Sequence, residues 1–316
     1  MEKLTERQII GAFYKTLEQD IGGSWIDGVS NYFLSDQASE EYAWLGMTPA
    51  MREWVGGRNA KGFKENSITI INKHYEATID ILIRDLRRDK SGQAMVRINE
   101  MAQRANAHWA SLLSTLILAG TSTTCYDGQF FFDTDHSEGD SGTQDNDISI
   151  DISALEAANH GSAATAPSVE ELQICIMRAI QQIAGFVDDR GEPMNENAQS
   201  FLVMVPMVFM NSALQAVDTP MQVGESQTAL TAAKKKFSIE VVPNVRLSDW
   251  TASFAVFRTD SNVKAFVRQE EQGVQLKVKG ENSEYAFDND AVQYGIDTWR
   301  NVAYGYWQNA CFVTMT

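Results

Sequence analysis

The strongest periodic pattern in the chain lies in residues 91–121, which read SGQAMVRINEMAQRANAHWASLLSTLILAGT. Apolar side chains recur there at steps of three and four residues, and they are Ile98, Met101, Ala105, Trp109, Leu112, Leu113 and Leu116. This spacing predicts an α-helix with one buried face, which Gly92 opens and Gly120 closes. At ~1.5 Å per residue the helix is about 40 Å long, which suits a structural spine.

Two segments directly before this helix alternate apolar and polar side chains. The apolar positions are Ile68 and Ile70 in the first segment and Ile79, Ile81 and Ile83 in the second. Alternation with a period of two predicts half-buried strands. We therefore expect an extended β-hairpin with charged edges, whose turn is either the polar stretch 57–66 or Asn72-Lys73-His74.

The opening part of the chain contains few apolar residues. Residues 5–20 predict a short amphipathic helix with Ile9, Ile10, Phe13 and Leu17 on one side, and Gly22-Gly23 ends it. An aromatic stretch follows, but this quarter of the chain is too poor in apolar residues to form a core of its own. We expect an arm that packs on something else.

Helices and strands also occupy separate stretches downstream. Ser168 and Glu171 have the spacing of a capping box and predict the start of a helix. The continuous apolar run 201–206 is typical of a strand buried on both faces, and a short helix over 207–217 follows. Alternation resumes near 237–241 and 274–278, and 294–316 is aromatic-rich and β-like. The fold class is therefore α+β.

Composition excludes several classes of function. The chain has 316 residues, with Lys+Arg 26 against Asp+Glu 42 and a net charge of −16, which speaks against sequence-specific DNA binding. Its apolar runs are too short to span a bilayer, and its N-terminus lacks the pattern of a secretory signal. We expect a protein kept in a cytoplasm, with no membrane partner and with three free, core-type cysteines.

One cluster could carry chemistry. Asp133, Asp135 and His136 could ligate a divalent ion or act as acid and base, but no second cluster completes the site. We favour a polar turn whose side chains bond the local backbone. The sequence contains no nucleophile elbow, phosphate loop, dinucleotide fingerprint or zinc pattern, so we assign no catalytic residue and no cofactor.

A set of motifs resembles the major head subunits of Mu-like phages, in the same order through nearly the whole chain. They are Tyr42-Ala43-Trp44-Leu45-Gly46 with Pro49, Arg52-Glu53-Trp54-Val55-Gly56 with Arg58, Asn72-Lys73 with Tyr75-Glu76, Tyr126-Asp127-Gly128-Gln129 with Phe131-Phe132-Asp133 and Asp135-His136, and the ending Phe287-Asp288, Tyr294-Gly295, Tyr304-Gly305 and Trp307-Gln308. Residues 137–167 and 218–235 match least well.

The resemblance implies the Hong Kong 97-type phage capsid fold. Its parts are an N-terminal arm, an extended loop, a peripheral domain with the spine helix, and an axial domain. The arm is expected at 1–50 and the extended loop at 51–90. The peripheral domain is expected at 91–165 with 285–316, and the axial domain at 166–284. The arm and the loop are expected to bury their apolar faces on neighbouring subunits.

The function implied is assembly of a virion and not catalysis. Copies form pentamers and hexamers, and these form an icosahedral head around double-stranded DNA that the protein contacts without sequence specificity. The implied partners are a separate scaffolding protein, a portal and a decoration protein, and assembly takes place in the bacterial host cytoplasm. The residues expected at contacts between subunits are Trp54, Arg58, Lys61, Lys64, Arg84, Arg87 and Arg88.

Three alternatives remain open from the sequence. The first is an encapsulin-like bacterial compartment with the same fold. The second is a metal-dependent hydrolase that uses Asp133, Asp135 and His136. The third is another virion component, such as a tail or decoration protein.

Overall fold

The structure is a computed structural model that describes residues 6–18, 24–42, 68–88, 92–157, 159–218 and 236–316. Its helices are α1 (Glu6–Leu17), α2 (Ser24–Val29), α3 (Ile83–Arg88), α4 (Gln93–Asn106), α5 (His108–Leu118), α6 (Val169–Gly185), α7 (Met210–Asp218) and α8 (Glu284–Asn289). Its strands are β1 (Ser30–Leu34), β2 (Ser39–Tyr42), β3 (Ile68–Ile71), β4 (Lys73–Leu82), β5 (Asp147–Ile150), β6 (Ser200–Pro206), β7 (Ser238–Asn244), β8 (Ser253–Arg258), β9 (Phe266–Lys279), β10 (Ala291–Tyr304) and β11 (Ala310–Met315). The predicted α+β class is confirmed.

A five-stranded sheet in the order β5-β11-β8-β6-β7 forms one half of the fold. The apolar run 201–206 lies in β6, between β7 and β8, and every residue of that run is buried, as predicted. Helix α6 packs on β11 and β8 of this sheet and begins at the predicted capping box. The Ser168 hydroxyl accepts a hydrogen bond from the Glu171 backbone N–H at 3.1 Å, and the Glu171 carboxylate accepts one from the Ser168 N–H at 2.8 Å.

A four-stranded sheet in the order β1-β9-β10-β4 forms the other half. Strands β9 and β10 form a long antiparallel hairpin whose connection carries α8, and β4 pairs antiparallel with β10. The register of β9 against β10 shifts around Trp299, and the extra residues of this bulge lie on β9. Helices α1 and α4 close a second apolar cluster against this sheet.

The predicted hairpin between residues 68–70 and 79–83 is wrong. Both segments contain strands, but β3 pairs with β2 and β4 pairs with β10. The alternative turn at residues 72–74 is wrong as well, because Asn72 only separates β3 from β4 and Lys73 begins β4. The other alternative, 57–66, lies outside the described residues. Alternation shows which face of a strand is buried but not which strand is its partner.

The single long helix is also wrong. Helix α4 ends at Asn106, and α5 begins at His108. The Arg300 guanidinium donates to the Ala105 carbonyl oxygen at 3.2 Å, and the Asn106 side chain donates to the Thr16 carbonyl oxygen at 3.2 Å. Contacts with distant parts of the chain therefore accompany the break, and no glycine or proline marks it.

The expectation for the arm needs correction too. Helix α1 packs on α4 of the same chain, where Ile9 and Phe13 are fully buried. Trp25 and Val29 of α2 join the main core, and β1 pairs with β9. These four buried side chains are therefore covered within the chain, whereas Leu34 at the end of β1 is 76% exposed.

The two sheets cross the expected domain ranges. Strand β9 lies within 166–284 but pairs with β10, which lies within 285–316. Strand β11 also lies within 285–316 but joins the five-stranded sheet, between β5 and β8. None of the helices in the described residues combines the length and apolar character needed to cross a bilayer.

Candidate assembly surfaces

The basic residues of α3 lie at the surface. Ile83 is buried and Leu86 packs against the apolar cluster of α1 and α4, which fixes the helix to the end of β4. This leaves Arg84, Arg87 and Arg88 exposed on a helix of one and a half turns. We call these three residues the α3 basic cluster.

The acidic partners of this cluster are within reach in the same chain. Arg87 pairs with Glu281 at 3.1 Å, and Arg84 lies 3.4 Å from Asp85. Arg88 lines an open cavity of about 530 Å³ together with Asp85. Solvent-exposed pairs of this kind contribute little to stability, so the cluster can exchange its partners at low cost.

The other contact residues expected from the sequence, Trp54, Arg58, Lys61 and Lys64, lie outside the described residues. The structure describes both ends of the segment that carries them. Tyr42 and Ile68 are paired across the antiparallel β2–β3 ladder, so the two residues that flank the segment lie side by side.

Several large apolar side chains are exposed to solvent. Phe287 on α8 is 91% exposed, at the connection between β9 and β10. The others are Leu34, Ile71, Val96, Val208 and Val245, all more than half exposed. Single exposed apolar residues are common, but a phenylalanine at the tip of a long hairpin is well placed to contact another molecule.

Asp133 forms the predicted polar turn. Its carboxylate accepts hydrogen bonds from the backbone N–H of Thr134 at 2.8 Å and of Phe130 at 3.1 Å. Asp135 is exposed. The interpretation as a turn is confirmed for Asp133. The hydrolase alternative is not supported, because the His136 side chain bonds Asp127 and does not join Asp133 and Asp135 in one site.

His136 is fully buried in a cluster that the sequence did not suggest. Its Nδ1 donates to the Asp127 carboxylate at 2.6 Å, and its ring stacks on Trp307 with 4.0 Å between centroids. The Cys125 thiol donates to the other Asp127 oxygen at 3.0 Å. Among the described residues, Cys125, Asp127 and His136 are the one group of three whose possible ligand atoms all lie within 4.8 Å of one another.

The electrostatics of this buried triad, Cys125, Asp127 and His136, follow from its hydrogen bonds. Burial alone would raise the pKa of Asp127, but hydrogen bonds from His136 and Cys125 hold it below its ordinary value. Burial and the charge of Asp127 raise the pKa of the Cys125 thiol, which therefore stays protonated at neutral pH. A protonated thiol is a poor nucleophile, so the triad is not built for covalent catalysis.

The sequence contained a usable signal for this pairing. Asp127 and His136 belong to one motif, and short β-bridges join Thr124 to Phe130 and His136 to Gln144. These bridges fold the motif back on itself and bring its two ends together. The sequence suggested a site only at Asp133, Asp135 and His136, because these residues lie within four positions of one another.

The comparison with protein families matches the motifs quoted above. The family model described as Mu-like prophage major head subunit gpT matches residues 7–160 and 230–316. The chain belongs to this family. Its members are shell-building head subunits and not enzymes.

Two relatives of this head subunit are similar over part of their length. The Mu-like prophage FluMu major head subunit of Haemophilus influenzae is 36% identical over 111 residues, which cover 35% of this chain and 36% of the relative. The major capsid protein of Escherichia phage Mu is 32% identical over 133 residues, which cover 40% of this chain and 44% of the relative. The matched segments thus span less than half of either relative.

Solved capsids share the fold of the head subunit. The procapsid of bacteriophage JBD30 aligns with a TM-score of 0.55 at 22% identity, covering 98% of this chain and 76% of that one. The capsid of cyanophage P-SCSP1u aligns at 0.56 with 12% identity, covering 92% and 88%. The virus-like particle of Pyrococcus furiosus aligns at 0.52 with 11% identity, covering 98% of both chains. The fold is the Hong Kong 97-type capsid fold that the resemblance implied.

Proposed function

We propose that this chain is a major capsid protein that assembles through pentamers and hexamers into the icosahedral head around a double-stranded DNA genome. The observation that carries the proposal is the match to the head subunit family over 7–160 and 230–316. A capsid fold along 98% of the chain supports it independently. The net charge of −16 suits a wall that repels DNA and does not bind it by sequence.

The proposed domains follow the two sheets. A peripheral domain is built on the four-stranded sheet with α1 and α4, and an axial domain is built on the five-stranded sheet with α6. We assign the extended loop to residues 43–67, between β2 and β3, in place of 51–90; the pairing of Tyr42 with Ile68 supports this assignment.

The proposed contacts between copies combine charge and apolar surface. The segment 43–67 contains Arg52, Arg58, Lys61 and Lys64 against Glu53 and Glu65, so it is basic within a strongly acidic chain. This segment, with Trp54, and the α3 basic cluster would pair with acidic faces of adjacent copies. Phe287 would bury its ring against a neighbour.

The remaining partners follow from the role of a head protein. They are a separate scaffolding protein, a portal, a decoration protein and packaged DNA, and assembly would take place in the host cytoplasm. An encapsulin-like compartment is the second candidate, because the virus-like particle of Pyrococcus furiosus has the same fold. Particle contents separate the two, since DNA indicates a phage head and a cargo protein indicates a compartment.

The α3 basic cluster provides the first test of assembly. Arg87→Glu together with Arg88→Glu reverses the charge of the proposed contact on an exposed helix. We expect the double variant to keep its circular dichroism spectrum and fail to form shells in electron micrographs. Arg190→Glu, at an exposed arginine after α6, is the control and should assemble. Normal particles from the double variant would show that this cluster is not a contact.

A further inference from the structure

We propose that Cys125, Asp127 and His136 form a binding site for one zinc-class divalent cation, which fastens the loop-rich segment between α5 and β5. A thiolate, a carboxylate and an imidazole are together a ligand set typical of Zn²⁺. The site is independent of the proposed role in the shell, because all three ligands come from one chain.

The geometry of the triad already approaches that of a metal site. With Zn–N, Zn–O and Zn–S bonds of about 2.0 to 2.3 Å, ligand atoms around a tetrahedral Zn²⁺ lie roughly 3 to 4 Å apart. The Nδ1–Oδ2 distance is 2.6 Å and the Sγ–Oδ1 distance is 3.0 Å. Small rotations of the side chains would open the group enough to admit the ion.

The surrounding structure holds the ligands in place without the metal. The Cys125 backbone N–H donates to the Gln129 carbonyl at 2.8 Å, and the Gln129 N–H donates to the Asp127 carboxylate at 3.1 Å. Stacking on Trp307 fixes the plane of the His136 imidazole. Such preorganisation lowers the cost of binding, because the ligands are not ordered at that moment.

The charges around the site favour a cation. Asp135 and Asp145 lie close enough to His136 for a positive charge there to favour their ionised carboxylates. The site itself would be neutral, since Zn²⁺ balances one thiolate and one carboxylate beside a neutral imidazole. A neutral group can be buried at a lower cost than a charged one.

Protons must leave for the metal to bind. The Cys125 S–H bond breaks as the Zn–S bond forms, and the thiol proton passes to solvent. The neutral imidazole, whose Nδ1–H bonds Asp127 in the metal-free chain, moves that proton to Nε2 and binds the ion through the freed Nδ1 lone pair. Cys125 is partly exposed, which gives the ion a route in and the proton a route out. Binding should therefore tighten as the pH rises.

The test uses Co²⁺ as a spectroscopic substitute for Zn²⁺ on the untagged full chain after treatment with a chelator. We expect one Co²⁺ per chain with a thiolate-to-cobalt charge-transfer band, displaced by one Zn²⁺. Cys125→Ser should abolish the band, and His136→Asn should weaken binding at least tenfold. His160→Asn is the matched control, because His160 also pairs with a carboxylate, that of Glu171 at 2.9 Å, and it should bind as the wild type does.

Three results would overturn the proposal. They are the absence of the band in the wild-type chain, a stoichiometry unchanged in Cys125→Ser, and a melting temperature that Zn²⁺ and chelator leave equal. The first and third would mean that the triad is held by hydrogen bonds alone. The melting temperature is measured on the wild-type chain, so it tests metal binding even if His136→Asn fails to fold.

Discussion

One polar side chain, that of Glu171, both caps a helix and holds the loop before it. Glu171 is almost fully buried, and its carboxylate accepts hydrogen bonds from the Ser168 N–H, the Gly161 N–H and His160. Burial alone would raise the pKa of Glu171, but these bonds lower it below its ordinary value. One residue therefore caps α6 and anchors the loop that precedes it.

Ser168→Ala tests the capping box. Removing the hydroxyl leaves the Glu171 N–H without its acceptor, so the free energy of unfolding should fall by about 1 kcal/mol. Urea denaturation followed by circular dichroism measures it. Ser137→Ala, at an exposed serine, is the control and should change nothing measurable. Equal midpoints for both variants would contradict the capping role.

Asp147 predicts a pH dependence of stability. Burial and the charges of Asp145 and Asp133 raise its pKa from 3.8 to about 6. The folded state thus holds this proton more tightly than the unfolded state does. The stability that protonation provides is fully present below about pH 4 and is lost as the pH rises through about 6.

Asp147→Asn should therefore be more stable than the wild type at pH 7 and equal to it near pH 4. Denaturation midpoints across this pH range measure the difference, with Asp140→Asn at an exposed position as the control. A gain of the same size at both pH values would refute the assignment of the proton to Asp147.

The break between α4 and α5 is held by a side chain from the four-stranded sheet. Arg300 of β10 bonds the Ala105 carbonyl, and its guanidinium lies over the Trp109 ring with 4.7 Å to the centroid. The side chain is 4% exposed and also lies 3.9 Å from Glu270. The β9 bulge opposite Trp299 and the break at Ala107 thus flank one contact between β10 and the two helices.

Arg300→Lys should destabilise the fold by about 2 kcal/mol or more, because an ammonium group cannot supply the planar fork of donors that this buried position uses. Trp109 fluorescence should change as the stacked cation is lost. Arg104→Lys is the control, since Arg104 is 80% exposed and pairs along its helix with Glu100. Its effect should stay below about 0.5 kcal/mol. Similar small decreases in the free energy of unfolding in both variants would show that Arg300 does not fix the break between α4 and α5.

The sequence predicted most elements because their patterns are local. The capping box at Ser168, the buried run in β6 and the helical stripe through Ile98 all lie within one element each. The partners of β3 and β4 could not be predicted, because Tyr42 and Ala291 are distant in sequence from the strands they pair with. The break at Ala107 and the contact of His136 with Trp307 depend on distant residues in the same way.

Assembly of a shell would use apolar side chains that are exposed on a single copy of the chain. Phe287 sits on α8, where a hairpin of two 14-residue strands turns. A ring that is 91% exposed contributes little burial to the stability of the single chain. Contact with a second copy would remove it from water.

Phe287→Asp should leave the unfolding midpoint unchanged and reduce the yield of shells severely. Asn282→Asp adds the same charge at a nearby exposed position and should assemble normally, which separates the loss of the ring from the gain of a charge. Sedimentation of assembled particles measures both variants. Shells formed at the wild-type yield by Phe287→Asp would exclude this contact.

Electron microscopy of the purified, untagged chain at assembly concentrations tests the shell-building role most directly. We expect closed particles with fivefold and sixfold capsomers where a scaffolding protein is supplied, free capsomers or irregular shells without it, and in neither case a stable population of single chains. A solution that contains only stable monomers at every concentration would contradict it.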